Sequence, residues 1–331
     1  MRLLKALVLI VVVLLLALAG FGAWWSHTPV VLRQATVDFR VVPGSTLRAA
    51  AQQVAEAGVD VPPALFVLLG RVLRVDTAIK AGSYSVSSGI TPLQLLRKLT
   101  AGDVSLAELR LLEGWTFRQW REKLDAHPDL VHETQGLSEA AVLARLGLTD
   151  ARAEGLFFPD TYLFDKQSSD LELLARAHRA MQSRLAAEWQ TRAAGLPYKT
   201  PYQALIMASI IEKETGRESE RSLVAAVFIN RLRTGMLLQT DPTVIYGLGE
   251  AFDGNLRKRD LQTDTPYNTY TRAGLPPSPI AMPGVASLKA ALNPAREEVY
   301  YFVGRGDGSS QFSRTLDEHN RAVNRYQRGR Q

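Results

Sequence analysis

The chain contains no cysteine, which excludes disulfides, thiolate metal sites and a cysteine nucleophile. Histidine is scarce and dispersed. His27, His127, His132, His178 and His319 include no two at metal-ligand spacing, so zinc is not expected. There is no Gly-x-Ser-x-Gly elbow of the kind that presents a serine nucleophile. The one glycine cluster, Gly304-Arg305-Gly306-Asp307-Gly308, lies between two strand-like runs and precedes no helix, so it reads as a hairpin turn rather than a nucleotide loop. Ser209 and Lys213 stand four apart on one helix and suggest a dyad, although a serine so placed is more often a small packing residue. No Lys/Arg-rich run accompanies the net charge of +6, so nucleic acid is not an expected partner. An anionic polymer or a membrane face suits that charge equally well. No internal repeat is present.

What the chain does have is one long apolar run and an otherwise ordinary globular composition. With 331 residues, 46% of them hydrophobic and 22% charged, it can bury a sizeable core in about two domains. Arg2 and Lys5 precede Ala6 to Trp25, a stretch without a charge that closes on Trp24-Trp25. That length crosses a bilayer, the basic flank places a short tail (1–5) in the cytoplasm, and the tryptophans suit the far interface. A cleaved signal peptide is the competing reading, since Ala17-Leu18-Ala19 resembles a cleavage site. An uncleaved anchor over 6–25 is favoured, because the run outlasts the usual apolar core of a signal. Either way the remainder is exported.

After the anchor the pattern is α+β. Residues 35–42 alternate as a strand, Pro43-Gly44 turns, and Ser45 caps a helix to about Ala57. A helix over 62–74, a strand over 79–86, a helix from Thr91-Pro92 to Gly102 and a strand over 106–112 complete a small module at 35–112. Thr116 then caps a helix to about Ala126, and a polar stretch follows. Glu154 to Tyr162 forms an aromatic-rich loop, and Ser169 or Asp170 opens a long helix ending near Gly195. Ser219 caps a helix that runs to Gly235, and Asp241-Pro242 begins a short one that stops at Gly247. Residues 262–284 read as a long ordered loop. A hairpin spans Val299–Val303 and Gln311–Ser313, and Thr315 with Glu318 caps the last helix.

The most informative segment is Thr200 to Glu214. Thr200 with Gln203 makes a capping box, Pro201 fits the first helical position, and Gly216 marks the far end. The helix is apolar nearly all round, as buried helices are, and then breaks into Glu212-Lys213-Glu214. Stepping back from Glu212 reaches Ser209, Ala208, Leu205 and Pro201, a small and apolar row. A carboxylate delivered by such a row should resist ionisation, which suits a general acid. The plainer alternative is that Glu212 pairs with Lys213, Arg217 or another basic group. Glu214 stands about 200° further round the helix, so it is expected to be structural.

Other groups could surround a carbohydrate. Asn230, Gln239 and Asn268 offer amides, while Tyr246, Tyr267 and Tyr270 offer rings and hydroxyls. Asp241 is either a helix cap or a second acid.

These segments carry a resemblance. Ala208-Ser209-Ile210-Ile211-Glu212-Lys213-Glu214-Thr215, then Val227-Phe228-Ile229-Asn230-Arg231-Leu232, then Leu238-Gln239-Thr240-Asp241-Pro242-Thr243-Val244 are similar to the endolytic murein transglycosylases, the YceG-like family. Tyr267-Asn268-Thr269-Tyr270, Gly274-Leu275-Pro276-Pro277, Pro283-Gly284, Tyr300-Tyr301-Phe302-Val303, Phe312-Ser313-Arg314-Thr315 and Glu318-His319-Asn320 continue it. Upstream, Lys80-Ala81-Gly82-Ser83-Tyr84 and Phe158-Pro159-Asp160-Thr161-Tyr162 agree, whereas 125–153 matches poorly.

The resemblance implies an inner-membrane protein with one spanning helix, a LysM-like module (35–112) and a catalytic domain (113–331) facing the periplasm. It implies Glu212 as the catalytic glutamate, peptidoglycan glycan strands as substrate, and no cofactor. Peptidoglycan synthases are an open expectation as partners. The implied reaction breaks the β-1,4 bond between N-acetylmuramic acid and N-acetylglucosamine, with the muramyl C6 hydroxyl closing a 1,6-anhydro ring. One glutamate protonates the leaving oxygen and accepts the C6 proton. Asn230, Gln239, Asp241, Tyr246, Tyr267, Asn268, Tyr270, Phe158, Asp160 and Tyr162 are the expected substrate contacts. Two alternatives stay open: a hydrolytic muramidase with Glu212 as acid and Asp241 as base, and a non-catalytic peptidoglycan-binding scaffold.

Overall fold

The computed structural model describes residues 2–149 and 152–328, so Met1 of the expected cytoplasmic tail lies outside it. The chain is a mixed α+β protein that divides into two compact units. The first comprises 1–108, 129–131 and 163–168, and the second 109–128, 132–162 and 169–331.

The first unit begins with helix α1 (Arg2–His27), the one helix among the described residues long and apolar enough to cross a membrane. Strand β1 (Thr36–Val41) is followed by helices α2 (Leu47–Glu56) and α3 (Pro63–Val72), and then by strand β2 (Gly82–Ser87). β1 and β2 pair antiparallel, with Phe39 opposite Tyr84 and Val37 opposite Val86. Alternate residues of β1 are buried, as its period-2 pattern requires. Helix α4 (Pro92–Ala101) is started by a full Thr91/Gln94 capping box and closed by Gly102 at φ +71°. Val54, Phe66, Tyr84, Leu95 and Leu99 have no exposed surface and form this unit's core. Thr46, not Ser45, caps α2, since it is the Thr46 hydroxyl that reaches the Ala49 N–H. The chain then enters strand β3 (Leu106–Arg110), which is two residues shorter than expected.

In the second unit, helix α5 (Phe117–Asp125) starts from the Thr116/Gln119 capping box. The stretch left open in the sequence contains strand β4 (Leu130–Val131), which belongs to the first unit, and helix α6 (Glu139–Arg145), which belongs to the second. Strands β5 (Thr161–Asp165) and β6 (Ser168–Ser169), whose residues 163–168 belong to the first unit, lead into helix α7 (Asp170–Gln190) of the second, which stops short of Gly195.

Helix α8 (Pro201–Glu214) is the centre of this unit, with every residue from Ala204 to Ile211 buried. It packs on α7, on α9 (Arg221–Thr234), on α10 (Asp241–Leu248) and on α12 (Val285–Leu292), and α11 (Lys258–Gln262) lies between the last two in the chain. Burying each large apolar side chain contributes about 1.5–3 kcal/mol, so this helix has no alternative home. The capping box is only half made: Thr200 accepts the Gln203 N–H, while the Gln203 side chain turns to the Lys199 N–H.

Three other expectations need correction. Ser219 does not cap α9; residues 218–220 form a short 3-10 turn, and the helix starts at Arg221. Thr240, not Asp241, is the N-cap position of α10, and Asp241 is its first helical residue. Gly247 does not stop that helix, which continues to Leu248 and ends on Gly249 at φ +53°. Residues 263–284 contain no helix or strand, yet Asn268, Ile280, Ala281 and Met282 are essentially fully buried, so the long loop is an ordered part of the core. Strands β7 (Tyr301–Gly304) and β8 (Ser310–Ser313) form the expected hairpin, and Thr315/Glu318 caps α13 (Leu316–Val323).

Candidate active site

Glu212 lies in the last turn of α8, and its side chain is only 7% exposed. The apolar row beneath it places it there, but its carboxylate does not end in apolar surroundings. The backbone N–H of Gly284, at the N-cap of α12, donates to its Oε2 at 3.0 Å. The Arg221 guanidinium, from the first residue of α9, stands 3.7 Å from its Oε1 and is itself 11% exposed. Both are partners for a carboxylate rather than the dry enclosure that helical projection suggests. The reason is tertiary: α9 and α12 bring a cation and an N–H donor to a point that the helix row alone describes as greasy.

A second carboxylate, which sequence reasoning missed, stands at this site. The loop before α5 is fixed against the segment before α12 by two backbone bonds, Gly114 N–H to Met282 O at 2.9 Å and Met282 N–H to Trp115 O at 2.8 Å. They bring Glu113 against Gly284 so closely that a β-carbon at 284 would collide with the Glu113 carboxylate. Partial burial first, and then the Glu212 charge, push the Glu113 carboxyl above its ordinary range, with Arg221 drawing it partly back. The neighbouring Lys213 reaches the Gly114 carbonyl at 3.2 Å. Only the bare glycine in Pro283-Gly284 could have hinted at this close approach.

The other expected site residues fall into separate groups. Tyr246 and Tyr267 meet edge to face at 4.9 Å and line a cavity of about 890 Å³, together with Phe117, Arg118, Glu154 and Lys213. Glu154 is 4% exposed and accepts the Phe117 N–H at 3.0 Å. Burial pushes its carboxyl up to about 8 against the opposing pull of that N–H and of the Tyr246 hydroxyl. This is the carboxyl group that fits the description of an acid kept neutral by its surroundings.

Gln239, Asp241 and Tyr270 line a different cavity, of about 510 Å³, with Glu214, Arg231 and His319. There the Tyr270 hydroxyl donates to Asp241 at 2.5 Å and the Thr240 hydroxyl donates to Glu214. Burial raises the Glu214 carboxyl. Asp241 is therefore grouped with Glu214, on the other flank of α8 from the Glu212 partners.

The remaining predicted contacts hold the fold. The Asn230 amide donates to the carbonyls of Glu297 and Val299 at 2.9 and 3.0 Å. Asn268 has no exposed surface; its amide donates to the carbonyls of Asp260, Leu261 and Thr263, and its oxygen accepts the Tyr270 N–H. Phe158 and Tyr162 are buried. Arg184 lies 4.0 Å over the Phe158 ring, and the Tyr162 hydroxyl donates to the Phe158 carbonyl at 2.6 Å. Asp160 is exposed and accepts the N–H of Thr161. Ser209 is buried, donating to the Ile206 carbonyl and accepting the Ile280 N–H, while Lys213 points elsewhere, so the two make no dyad.

One grouping the sequence hid is Asp125, His132 and Asp170, whose ligand atoms lie within 4.8 Å of one another. Asp170 is committed there to the Thr134 N–H and hydroxyl, which staples the loop to α7.

Comparison with known proteins agrees with this architecture. Residues 39–325 match the sequence family described as YceG-like, and the chain belongs to that family. It is 40% identical over 173 residues to a Bacillus subtilis protein named endolytic murein transglycosylase, covering 52% of this chain and 48% of that one. A Streptococcus pneumoniae protein of the same name is 28% identical over 281 residues, covering 75% of this chain and 50% of its own length. The chain thus spans about half the length of the curated relatives it matches. A crystal structure of a yceG-like protein from Listeria monocytogenes superposes with a TM-score of 0.54 at 28% identity, covering 87% of this chain and 98% of that one.

Proposed function

We propose that the chain is an endolytic peptidoglycan lytic transglycosylase, an enzyme that cuts the bond between N-acetylmuramic acid and N-acetylglucosamine and leaves a 1,6-anhydro end. The observation that carries this reading is Glu212: a nearly buried carboxylate at the end of a core helix, met by the Gly284 N–H and by Arg221. The names of the relatives from Bacillus subtilis and Streptococcus pneumoniae support it.

The chemistry needs one proton moved from the muramyl C6 oxygen to the departing oxygen, with no water consumed. Positioned acid–base catalysis of this kind supplies about 10² to 10⁴ in rate. Placement of the sugar supplies more. Tyr246 and Tyr267, in the large cavity beside Lys213, are the predicted contacts best placed to stack on a sugar face.

Under this reading α1 is a single-pass anchor with its amino terminus in the cytoplasm, and the rest faces the periplasm and nascent strands near the membrane. The strand–helix–helix–strand order of β1, α2, α3 and β2 supports a LysM-like module at 35–112, ahead of a catalytic domain at 113–331. Peptidoglycan synthases are the partners such an enzyme would meet there.

The test is digestion of purified peptidoglycan with mass spectrometry of the fragments. Anhydro ends are expected, and a digest of reducing ends, heavier by one water, would instead mean a muramidase. Glycan pull-down without new chain ends would mean a scaffold. Glu212→Gln should abolish cleavage with the fold intact.

A further inference from the structure

The partners of Glu212 pose a problem for the reaction. Arg221 at 3.7 Å and the Gly284 N–H at 3.0 Å are both partners suited to a carboxylate that carries its charge. An ionised Glu212 can take the C6 proton, but it cannot give one to the glycosidic oxygen. Something in the site has to keep a proton there.

The fold supplies a group that can. The Glu113 carboxylate occupies the space that a β-carbon of residue 284 would take, which is open only because that residue is glycine. The backbone bonds of Gly114 and Trp115 to Met282 hold it in place, and Gly284 thereby touches both acids. With both carboxylates ionised, the two acids and Arg221 leave one excess negative charge at a partly dry site. One proton makes the group neutral. Burial and the Glu212 charge both oppose ionisation of Glu113.

We propose that Glu113 is a positioning residue for the reaction: its carboxylate, set against Gly284, offsets Arg221 so that one proton held by the pair Glu113 and Glu212 stays available at the scissile bond. The proposal rests on the reading of Glu212 as the catalytic glutamate. The proton accounting closes. The pair gives its proton to the glycosidic oxygen as the bond from that oxygen to C1 breaks. The C6 oxygen then bonds to C1, and its proton returns to the pair, which ends as it began.

Other charged neighbours do not replace Glu113. Lys213, next on α8, is turned to the Gly114 carbonyl. Glu214 bonds with Thr240 in the other cavity. α9 contributes Arg221, and the first turn of α12 contributes an N–H and no charged side chain.

The experiment compares the wild type, Glu113→Gln, Glu113→Asp and Glu212→Gln on purified glycan strands across about pH 4 to 9, with melting curves to confirm folding. In Glu113→Gln we expect an unchanged KM and an alkaline limb of kcat/KM displaced about one unit to lower pH, hence a loss of about tenfold on that limb. Rates should converge with the wild type on the acid side, and Glu113→Asp should restore part of the limb. A folded Glu113→Gln with the wild-type profile, a loss uniform across pH, or a change in KM alone would overturn the proposal. Failure of the functional reading is separate: it would show as absent anhydro ends in the wild type, or as full activity in Glu212→Gln.

Discussion

Gly284 gives its backbone N–H to Glu212 at 3.0 Å, and the space its missing side chain leaves is filled by another acid, Glu113. At φ −81° and ψ 174° the residue is in ordinary extended backbone, so its glycine is required by space rather than by conformation.

Gly284→Ala follows directly. The backbone tolerates alanine, but the new methyl group must displace the Glu113 carboxylate. That side chain is flexible at its far end and lies at an exposed rim, so stability should change by less than about 1 kcal/mol. Turnover should fall by about tenfold or more, because a small misplacement of catalytic groups is costly. Melting curves paired with strand digestion separate the two effects; a large loss of stability would contradict the steric argument.

Glu154 makes stability depend on pH. Its carboxyl, pushed up to about 8, lies above the 4.5 of an ordinary solvated glutamate, so the folded state binds a proton that the unfolded state releases first. The stabilisation is complete below pH 4.5 and drains away as pH rises towards about 8. Glu154→Gln should flatten this part of the curve of Tm against pH while costing little near neutrality, since an amide oxygen still accepts the Phe117 N–H. A mutant with the wild-type slope would refute the assignment.

Asn268 is the staple of the long loop. Asn268→Ala removes the amide group that bonds three part-buried carbonyls and should destabilise the protein by about 2–3 kcal/mol. Limited proteolysis should cut within 263–284 sooner than in the wild type. A mutant with unchanged melting and unchanged cutting would show that the amide is dispensable.

Asp241 discriminates between mechanisms. It shares its cavity with Glu214 and is bonded to Tyr270, so Asp241→Asn should leave the rate of strand cleavage of the same order as the wild type. A muramidase using it as base would lose about 10² or more. Timed digests of the two proteins decide the matter.

The local architecture was legible in the residues. Thr200, Pro201 and the apolar run define α8 and deliver Glu212 to its end; Gly102 and Gly235 close their helices in the left-handed region; Thr315 with Glu318 opens the last helix. Caps, turns and periodicity act over a few residues, and the chain displays them directly. Amides were less legible. Asn230, Gln239 and Asn268 present identical chemistry in sequence, and only packing reveals that Asn230 and Asn268 spend theirs on backbone carbonyls.

The sequence by itself determined the apolar amino-terminal helix, the α+β order and the position of Glu212 on a buried helix. Tertiary structure alone decided what surrounds that carboxylate. Glu113, Arg221 and Gly284 come from three separate segments and converge only because α8 packs on α9 and α12 while the loop before α5 bonds to Met282. No local pattern encodes such a meeting, since its energy lies in contacts between residues far apart in the chain.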